Sequence, residues 1–305
     1  MKNGSTFEGL GVAMVTPFTE TGAVDYPSLT RLVEHLVTGG VDYLVVHGTT
    51  GESPVLDKAE KRSVLDFILE VNNGRKPVVL GVGGNNTRII AEELAQLDTK
   101  GLLGILSVSP AYNRPGDEGL FQHYSEVSKN TDLPIILYNV PSRTAGNVTA
   151  EVTIRCAEEL SNIVAVKEAS GDLNQISHII KDAPEGFAVL SGDDLLALPI
   201  IALGGRGVIS VIGNALPETF GRMTHATMDG DMEKARKHQY ELLSVMDLIF
   251  KEGNPAGIKE LLQHMGICKN HLRLPLTNVS KSLSQEIYQA VSEIASVKDG
   301  AKEAL

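Results

Sequence analysis

Eight short apolar runs rich in β-branched residues recur along the chain, and their spacing constrains the fold more than any other feature. They are Val12–Phe18, Tyr43–Gly48, Pro77–Gly83, Leu102–Ser109, Pro134–Val140, Ile163–Ala169, Phe187–Gly192 and Gly207–Gly213. Each is nearly continuous rather than alternating, as expected of parallel strands covered on both faces. Helical patterns lie between them. Leu29, Leu32, Val33, Leu36 and Val37 form one apolar stripe, which Gly39 and Gly40 stop. Asp57 with Glu60 resembles a capping box opening a helix that carries Val64, Leu65, Ile68 and Leu69. Strands alternating with helices imply βαβ units, and eight such units imply a closed (β/α)8 TIM barrel. An open doubly wound sheet would carry a glycine-rich dinucleotide loop after its first strand. Here the first run ends Thr16-Pro17-Phe18. The 305 residues would allow two domains of about 150. The run count instead places one barrel at residues 1–215 and a C-terminal helical region, packed on it, at 216–305. In that region Leu242, Val245, Met246, Ile249 and Phe250 form a further helical stripe, punctuated by Pro255 and Pro275.

Charge and cysteine content narrow the function. With 27 basic and 38 acidic residues the net charge is −11, which argues against nucleic acid or an anionic membrane as partner. Cys156 and Cys268 are far apart and form no CxxC, so neither a disulfide framework nor a cysteine zinc site is expected. The eight histidines show no H-x-H or H-E-x-x-H spacing, so no metal is expected and a zinc-dependent aldolase is disfavoured. The longest apolar run, Leu195 to Leu203, has about half the roughly 20 residues a membrane helix needs. The N-terminal segment lacks an apolar signal region, which makes the expected location cytoplasmic.

In a (β/α)8 barrel the chemistry sits at the C-terminal ends of the strands. Lys167 ends the sixth run, where an ammonium is costly to desolvate. A lone strand lysine commonly pairs with a carboxylate; the sharper alternative is a desolvated amine that acts as a Schiff-base nucleophile. Glu168 should point the other way, towards the helices. Gly48-Thr49-Thr50-Gly51-Glu52-Ser53 follows the second run. Its glycines permit a sharp turn, and its N–H groups and hydroxyls suit a small carboxylate, although a plain capped turn reads similarly. Tyr138 to Arg143 follow the fifth run. There the tyrosine could relay a proton and the guanidinium could bind a carboxylate, or both could be packing and surface residues. Pro110 and Pro115 stiffen the loop that carries Tyr112. In Ser191-Gly192-Asp193-Asp194 one aspartate reads as a helix cap, rather than the two as paired acids or a metal site. Gly204-Gly205-Arg206-Gly207 precedes a strand, the wrong side for a phosphate loop. Gly81 to Asn86 is not a dinucleotide fingerprint.

Taken together, GTTGES, SPAYNRP, YNVPSRT, VAVKEASGD, LSGDD and GGRGVISV resemble, in order, the dihydrodipicolinate synthase / N-acetylneuraminate lyase family of class I aldolase barrels. The resemblance runs from about Gly9 through the C-terminal region. Thr49, where sialic acid lyases usually have serine, and Arg143, which they usually lack, place it nearer the branch that condenses pyruvate with L-aspartate-4-semialdehyde in lysine and diaminopimelate synthesis. A sialic acid or keto-deoxy sugar acid aldolase is the alternative, and a barrel that only senses a 2-oxo acid is a third. The resemblance implies that Lys167 forms the imine with pyruvate and that Thr49 and Thr50 hold the pyruvate carboxylate. It implies that Tyr138 is the general acid/base and that Thr50 and Tyr112 complete a proton relay, with Tyr112 supplied by a neighbouring subunit. Arg143 would bind the semialdehyde carboxylate, and Gly192 and Ile209 would line the pyruvate pocket. No cofactor is implied, and the assembly implied is a homotetramer of tight dimers, or a dimer. His47, beside GTTGE, reads as a packed strand residue.

Feedback-inhibited relatives in this family bind lysine at a subunit interface, commonly through a tyrosine, a glutamate and a histidine. This chain has Ala111, Ile89 and Lys61 at those places and keeps Ser53 and Asn85. Weak or absent inhibition by lysine is therefore expected. A steep fall in activity between micromolar and millimolar lysine would contradict it.

Overall fold

The computed structural model describes residues 3–294. All eight runs form strands: β1 (Gly9–Ala13), β2 (Tyr43–Val46), β3 (Val78–Gly83), β4 (Leu102–Val108), β5 (Ile135–Asn139), β6 (Ile163–Glu168), β7 (Ala188–Ser191) and β8 (Gly207–Ser210). They close in sequence order into one parallel barrel, β8 pairing with β1. Between them run α1 (Tyr26–Thr38), α2 (Lys58–Asn72), α3 (Thr87–Ala95), α4 (Asp117–Lys129), the short α5 (Pro141–Thr144), α6 (Ala150–Glu159), α7 (Leu173–Asp182) and α8 (Ala197–Ala202). After β8 come α9 (Pro217–Met228), α10 (Met232–Lys251), α11 (Ala256–His264) and α12 (Lys281–Ser292). The expected 216–305 region extends past residue 294, and its last residues lie outside the described ones. Among the described residues no helix is long and apolar enough to cross a membrane.

Local chemistry accounts for the helix boundaries. The Asp25 side chain accepts from the Ser28 N–H at the start of α1, and Gly39 ends that helix. Asp57 and Glu60 form the complete capping box of α2. The first strand departs from expectation. It begins at Gly9 rather than Val12, and Val15 to Phe18 lead away from it. Glycine ordinarily weakens a strand, but here the neighbours demand it. A Cβ on Gly11 would lie 2.2 Å from the Tyr43 ring, and Gly9 has φ +89°.

Two apolar layers result. Phe7, Tyr43, Val45, Val79, Leu106, Ile136, Leu190 and Ile209 fill the barrel, with Phe7 edge-on to Tyr43. A second, continuous layer lies between the strands and the helix ring. α9 packs on β1 and β8, and α10 packs on α9, α11 and α12. Leu242, Val245, Met246, Ile249, Ile258, Leu261 and Leu262 of α10 and α11 belong to the same layer as the barrel helices. The C-terminal helices thus share the barrel's apolar core.

The tight approach at Gly11 can be tested. Gly11→Ala should cost about 1–3 kcal/mol through overpacking against Tyr43. Urea unfolding measures it, and an unchanged midpoint would show that the ring moves aside freely.

Candidate active site

Lys167 lies at the C-terminal end of β6 and is 5% exposed. Strand alternation sends Glu168 outward, as expected. Its buried carboxylate accepts from Asn139 Nδ2 (3.1 Å), the Ser170 N–H (2.8 Å) and Gln175 Nε2 of α7 (2.9 Å). Lys167 therefore faces the barrel interior. Among the described residues no carboxylate lies within ion-pair distance of its Nζ, so the commonplace fate of a buried lysine is not the one found here. The amine sits 4.3 Å from the centre of the Tyr138 ring, and the two residues are register partners across β5 and β6. Gly192 keeps the neighbouring space open: a Cβ there would lie 2.7 Å from Ala169 Cβ and 3.1 Å from Lys167 Cε. Ile209 of β8 is fully buried in the same interior layer as Tyr138.

The GTTGES segment turns sharply after β2. Thr49–Gly51 form one turn of 3-10 helix, and Glu52 closes it in the left-handed region at φ 55°. Thr16 Oγ1 donates to the Gly51 carbonyl (2.7 Å). Thr49 is half-buried, whereas Thr50 is buried and its hydroxyl oxygen accepts from Asn254 Nδ2 at 3.0 Å. The fully buried Glu52 forms an ion pair with the fully buried Lys259 of α11 at 2.5 Å. Its second oxygen accepts from the Arg273 N–H (3.1 Å), while Lys259 also donates to the His271 carbonyl (2.8 Å). Lys259 and Arg273 both sit over the Phe18 ring, at 4.2 and 4.4 Å from its centre. Burial pushes the Lys259 ammonium below the ordinary lysine value while the Glu52 carboxylate raises it. Asn254, Lys259 and Arg273 have no motif around them, and sequence reasoning missed all three. The one available signal was a lysine inside the apolar stretch Ile258-Lys259-Glu260-Leu261-Leu262.

Arg143 lies on α5 at the mouth, exposed, and its guanidinium donates to the Asn254 carbonyl (3.4 Å). The Tyr112 N–H donates to the Thr144 carbonyl (3.2 Å), which joins the loop after β4 to α5. Tyr112 itself is 90% exposed on a left-handed backbone, φ +67°. Thus Lys167, Tyr138, Gly192 and Ile209 come together within the chain. Thr50 and Arg143 are joined through Asn254. Tyr112 reaches neither Thr50 nor Tyr138 by any hydrogen bond among the described residues.

Two other segments also have clear places. The expected helix cap is not found: Asp193 accepts from the Leu195 N–H (2.9 Å) in the turn before α8, and neither aspartate side chain caps that helix. Asp194 is buried and reaches across to the end of β8, accepting from the Val211 and Ile212 N–H groups (3.1 and 2.7 Å). Burial pushes its carboxyl up to about 6. The lone His47 packs outward, its Nε2 on the Lys61 carbonyl (2.8 Å), and burial lowers it to about 4, so the ring is neutral. It borders a cavity of about 240 Å³ beside α2 and α3 that Ser53, Lys58 and Lys61 also line. Arg62, Glu93 and Asp98 line it as well, so its wall carries both signs of charge. Among the described residues no three His, Cys, Asp or Glu side chains come together to hold a metal.

A parallel (β/α)8 barrel with a desolvated lysine and a tyrosine at the C-terminal end of its strands belongs to the class of Schiff-base lyases. The chain belongs to the dihydrodipicolinate synthetase family, whose model matches residues 6–294. It is 46% identical over 288 residues to a 4-hydroxy-tetrahydrodipicolinate synthase from Parabacteroides distasonis, covering 94% of this chain and 97% of the relative. A dihydrodipicolinate synthase structure from Aquifex aeolicus superimposes with a TM-score of 0.91 at 40% identity, covering 94% of this chain and 98% of that one. A dihydrodipicolinate synthase from Acinetobacter baumannii complexed with pyruvate superimposes with a TM-score of 0.90 at 35% identity, covering 93% and 98%.

The Glu52–Lys259 pair makes a direct prediction. Lys259→Met leaves an uncompensated buried carboxylate and should cost about 3–5 kcal/mol in urea unfolding. The double variant E52Q/K259M should recover part of the loss. Unchanged stability of the single variant would remove the pair from any structural role.

Proposed function

We propose that the chain condenses pyruvate with L-aspartate-4-semialdehyde to give 4-hydroxy-tetrahydrodipicolinate, using Lys167 as the imine-forming residue. The observation that carries this reading is the buried Lys167 amine, within ion-pair distance of no carboxylate among the described residues and held over the Tyr138 ring. The nucleophile in imine formation is the neutral amine. Nζ adds to the pyruvate ketone carbon, and water leaves as the imine forms. Loss of a proton from the pyruvate methyl group gives the enamine, whose carbon attacks the aldehyde. The semialdehyde's amine then adds to the imine carbon, closing the ring and releasing Lys167.

In this proposal Tyr138, next to the amine, shuttles the protons of imine formation. Thr49 and Thr50 hold the pyruvate carboxylate with the turn's N–H groups, and Thr50 extends the proton relay. The Thr50 oxygen accepts from Asn254, which leaves its own proton available to donate. Gly192 and Ile209 shape the pyruvate pocket. Arg143, at the mouth, takes the second carboxylate. A polyol substrate would not need that cation, which favours the semialdehyde over a sialic acid. Tyr112, exposed on its fixed backbone, completes the relay of a second copy of this chain. A dimer therefore suffices for activity, within the homotetramer the family resemblance implies. The buried thiols of Cys156 and Cys268, which form no disulfide among the described residues, suit the reducing cytoplasm. We keep the barrel at residues 1–215 and the helical extension from residue 216.

Incubation with pyruvate and borohydride, followed by peptide mass spectrometry, should place the reduced adduct on Lys167. Arg143→Ala should keep that adduct and lower kcat/KM for the semialdehyde about 10–100-fold, the size of a lost charge-assisted hydrogen bond. An absent adduct would refute the imine mechanism, and an unchanged kcat/KM would refute the role of Arg143.

A further inference from the structure

Asn254 connects two parts of the site that are far apart in sequence. It lies between α10 and α11 and is 8% exposed. Its side-chain N–H₂ donates to Thr50 Oγ1 at 3.0 Å, and its main-chain carbonyl accepts from Arg143 at 3.4 Å. Its side-chain oxygen is buried with no partner among the described residues. A buried, half-satisfied amide costs stability, so its orientation needs a compensating reason. The Thr50 hydroxyl supplies one. An oxygen that already accepts a hydrogen bond must send its own proton elsewhere, and Thr50 sits on the turn at the C-terminal end of β2, the face on which Lys167 also lies. Turned the other way, the amide would place its oxygen on Thr50 and draw that proton to itself.

We propose that Asn254 is a positioning residue that joins the two anion-binding ends of the site: its amide directs the Thr50 hydroxyl towards the pyruvate carboxylate, and its carbonyl holds Arg143 for the second carboxylate. The inference rests on the reading of Thr50 and Arg143 given above. It adds that the helical extension contributes directly to substrate binding. The two contacts are separable, because only the Thr50 contact uses the side chain. Substitutions at 254 should therefore weaken pyruvate binding and spare the semialdehyde.

Asn254→Ala should raise the pyruvate KM about tenfold, the size of one lost hydrogen bond, and leave the semialdehyde KM within about twofold. Asn254→Asp keeps the shape but can only accept, and it adds a negative charge near the pyruvate carboxylate. It should be worse than Ala for pyruvate, whereas a merely structural role would let the isosteric Asp do better and would move both KM values together. A double-mutant cycle with Thr50→Val closes the test. Once the hydroxyl is gone, N254A should have little further effect on pyruvate KM. If N254A fails to fold, Asn254→Ser enters the same cycle. An additive cycle, or a pyruvate KM unchanged in N254A, overturns the proposal while the wild-type borohydride adduct still stands. A wild-type chain that forms no pyruvate adduct overturns the reading of the reaction and this inference with it.

Discussion

The buried ion pair between Glu52 and Lys259 is the constraint on which the site depends. Both charges are fully removed from water, which costs several kcal/mol per ion unless each is held by further donors or acceptors. Here they are: the Arg273 N–H and the His271 carbonyl complete the set, and the Phe18 ring lies beneath both cations. Glu52 immediately follows the turn that carries Thr49 and Thr50, and it occupies a left-handed backbone conformation that a non-glycine residue adopts only under constraint. The pair supplies that constraint. Its other half comes from helices that a barrel does not require, so the extension is a condition for the shape of the turn.

Lys167 and Lys259 show how one residue type takes opposite roles at similar burial. Lys259 is matched to a carboxylate and fixed as a structural cation. Lys167 has a ring face and a glycine beside it, and no carboxylate within ion-pair distance among the described residues. In the proposed reaction, that unpaired amine is the one used for chemistry. The pairing of one buried lysine and the isolation of the other would then separate framework from reagent.

Much of this was legible in the sequence because it is local. Seven of the eight runs read correctly since a strand buried on both faces needs only consecutive apolar residues. The capping box of α2 spans four positions, and the outward turn of Glu168 follows from strand alternation. The start of β1 was missed because Gly9 and Gly11 look like strand breakers; only Asp42, with the positive φ at Gly9, and the Tyr43 ring, facing Gly11, show why they must be glycines. The role of Asp194 was not legible, because its partners, the Val211 and Ile212 N–H groups, lie beyond an intervening helix. Asn254, Lys259 and Arg273 were invisible for the same reason. Their partners on the GTTGES turn lie 204, 207 and 221 residues away, and no periodicity encodes a contact of that range.

The charge balance poses the last physical question, since a chain of net charge −11 must admit two anions. The answer lies in where the nearby carboxylates point. Glu168 follows Lys167 directly but is turned to the helix side and held by three donors. Glu52 follows the threonine turn but is neutralised by Lys259. Asp194 is close to Gly192 but is held by main-chain N–H groups, and burial favours its neutral form below about pH 6. These three acids thus have their fields compensated locally or turned away from the barrel interior. The remaining acidic side chains act through solvent over distances at which a Debye length of about 8 Å screens them. Net charge then governs solubility, while in the proposed reaction the substrates would meet the hydroxyls and N–H groups of the turn and the Arg143 guanidinium. An acidic protein can bind anions without a basic surface, provided every carboxylate near the site is turned away or matched.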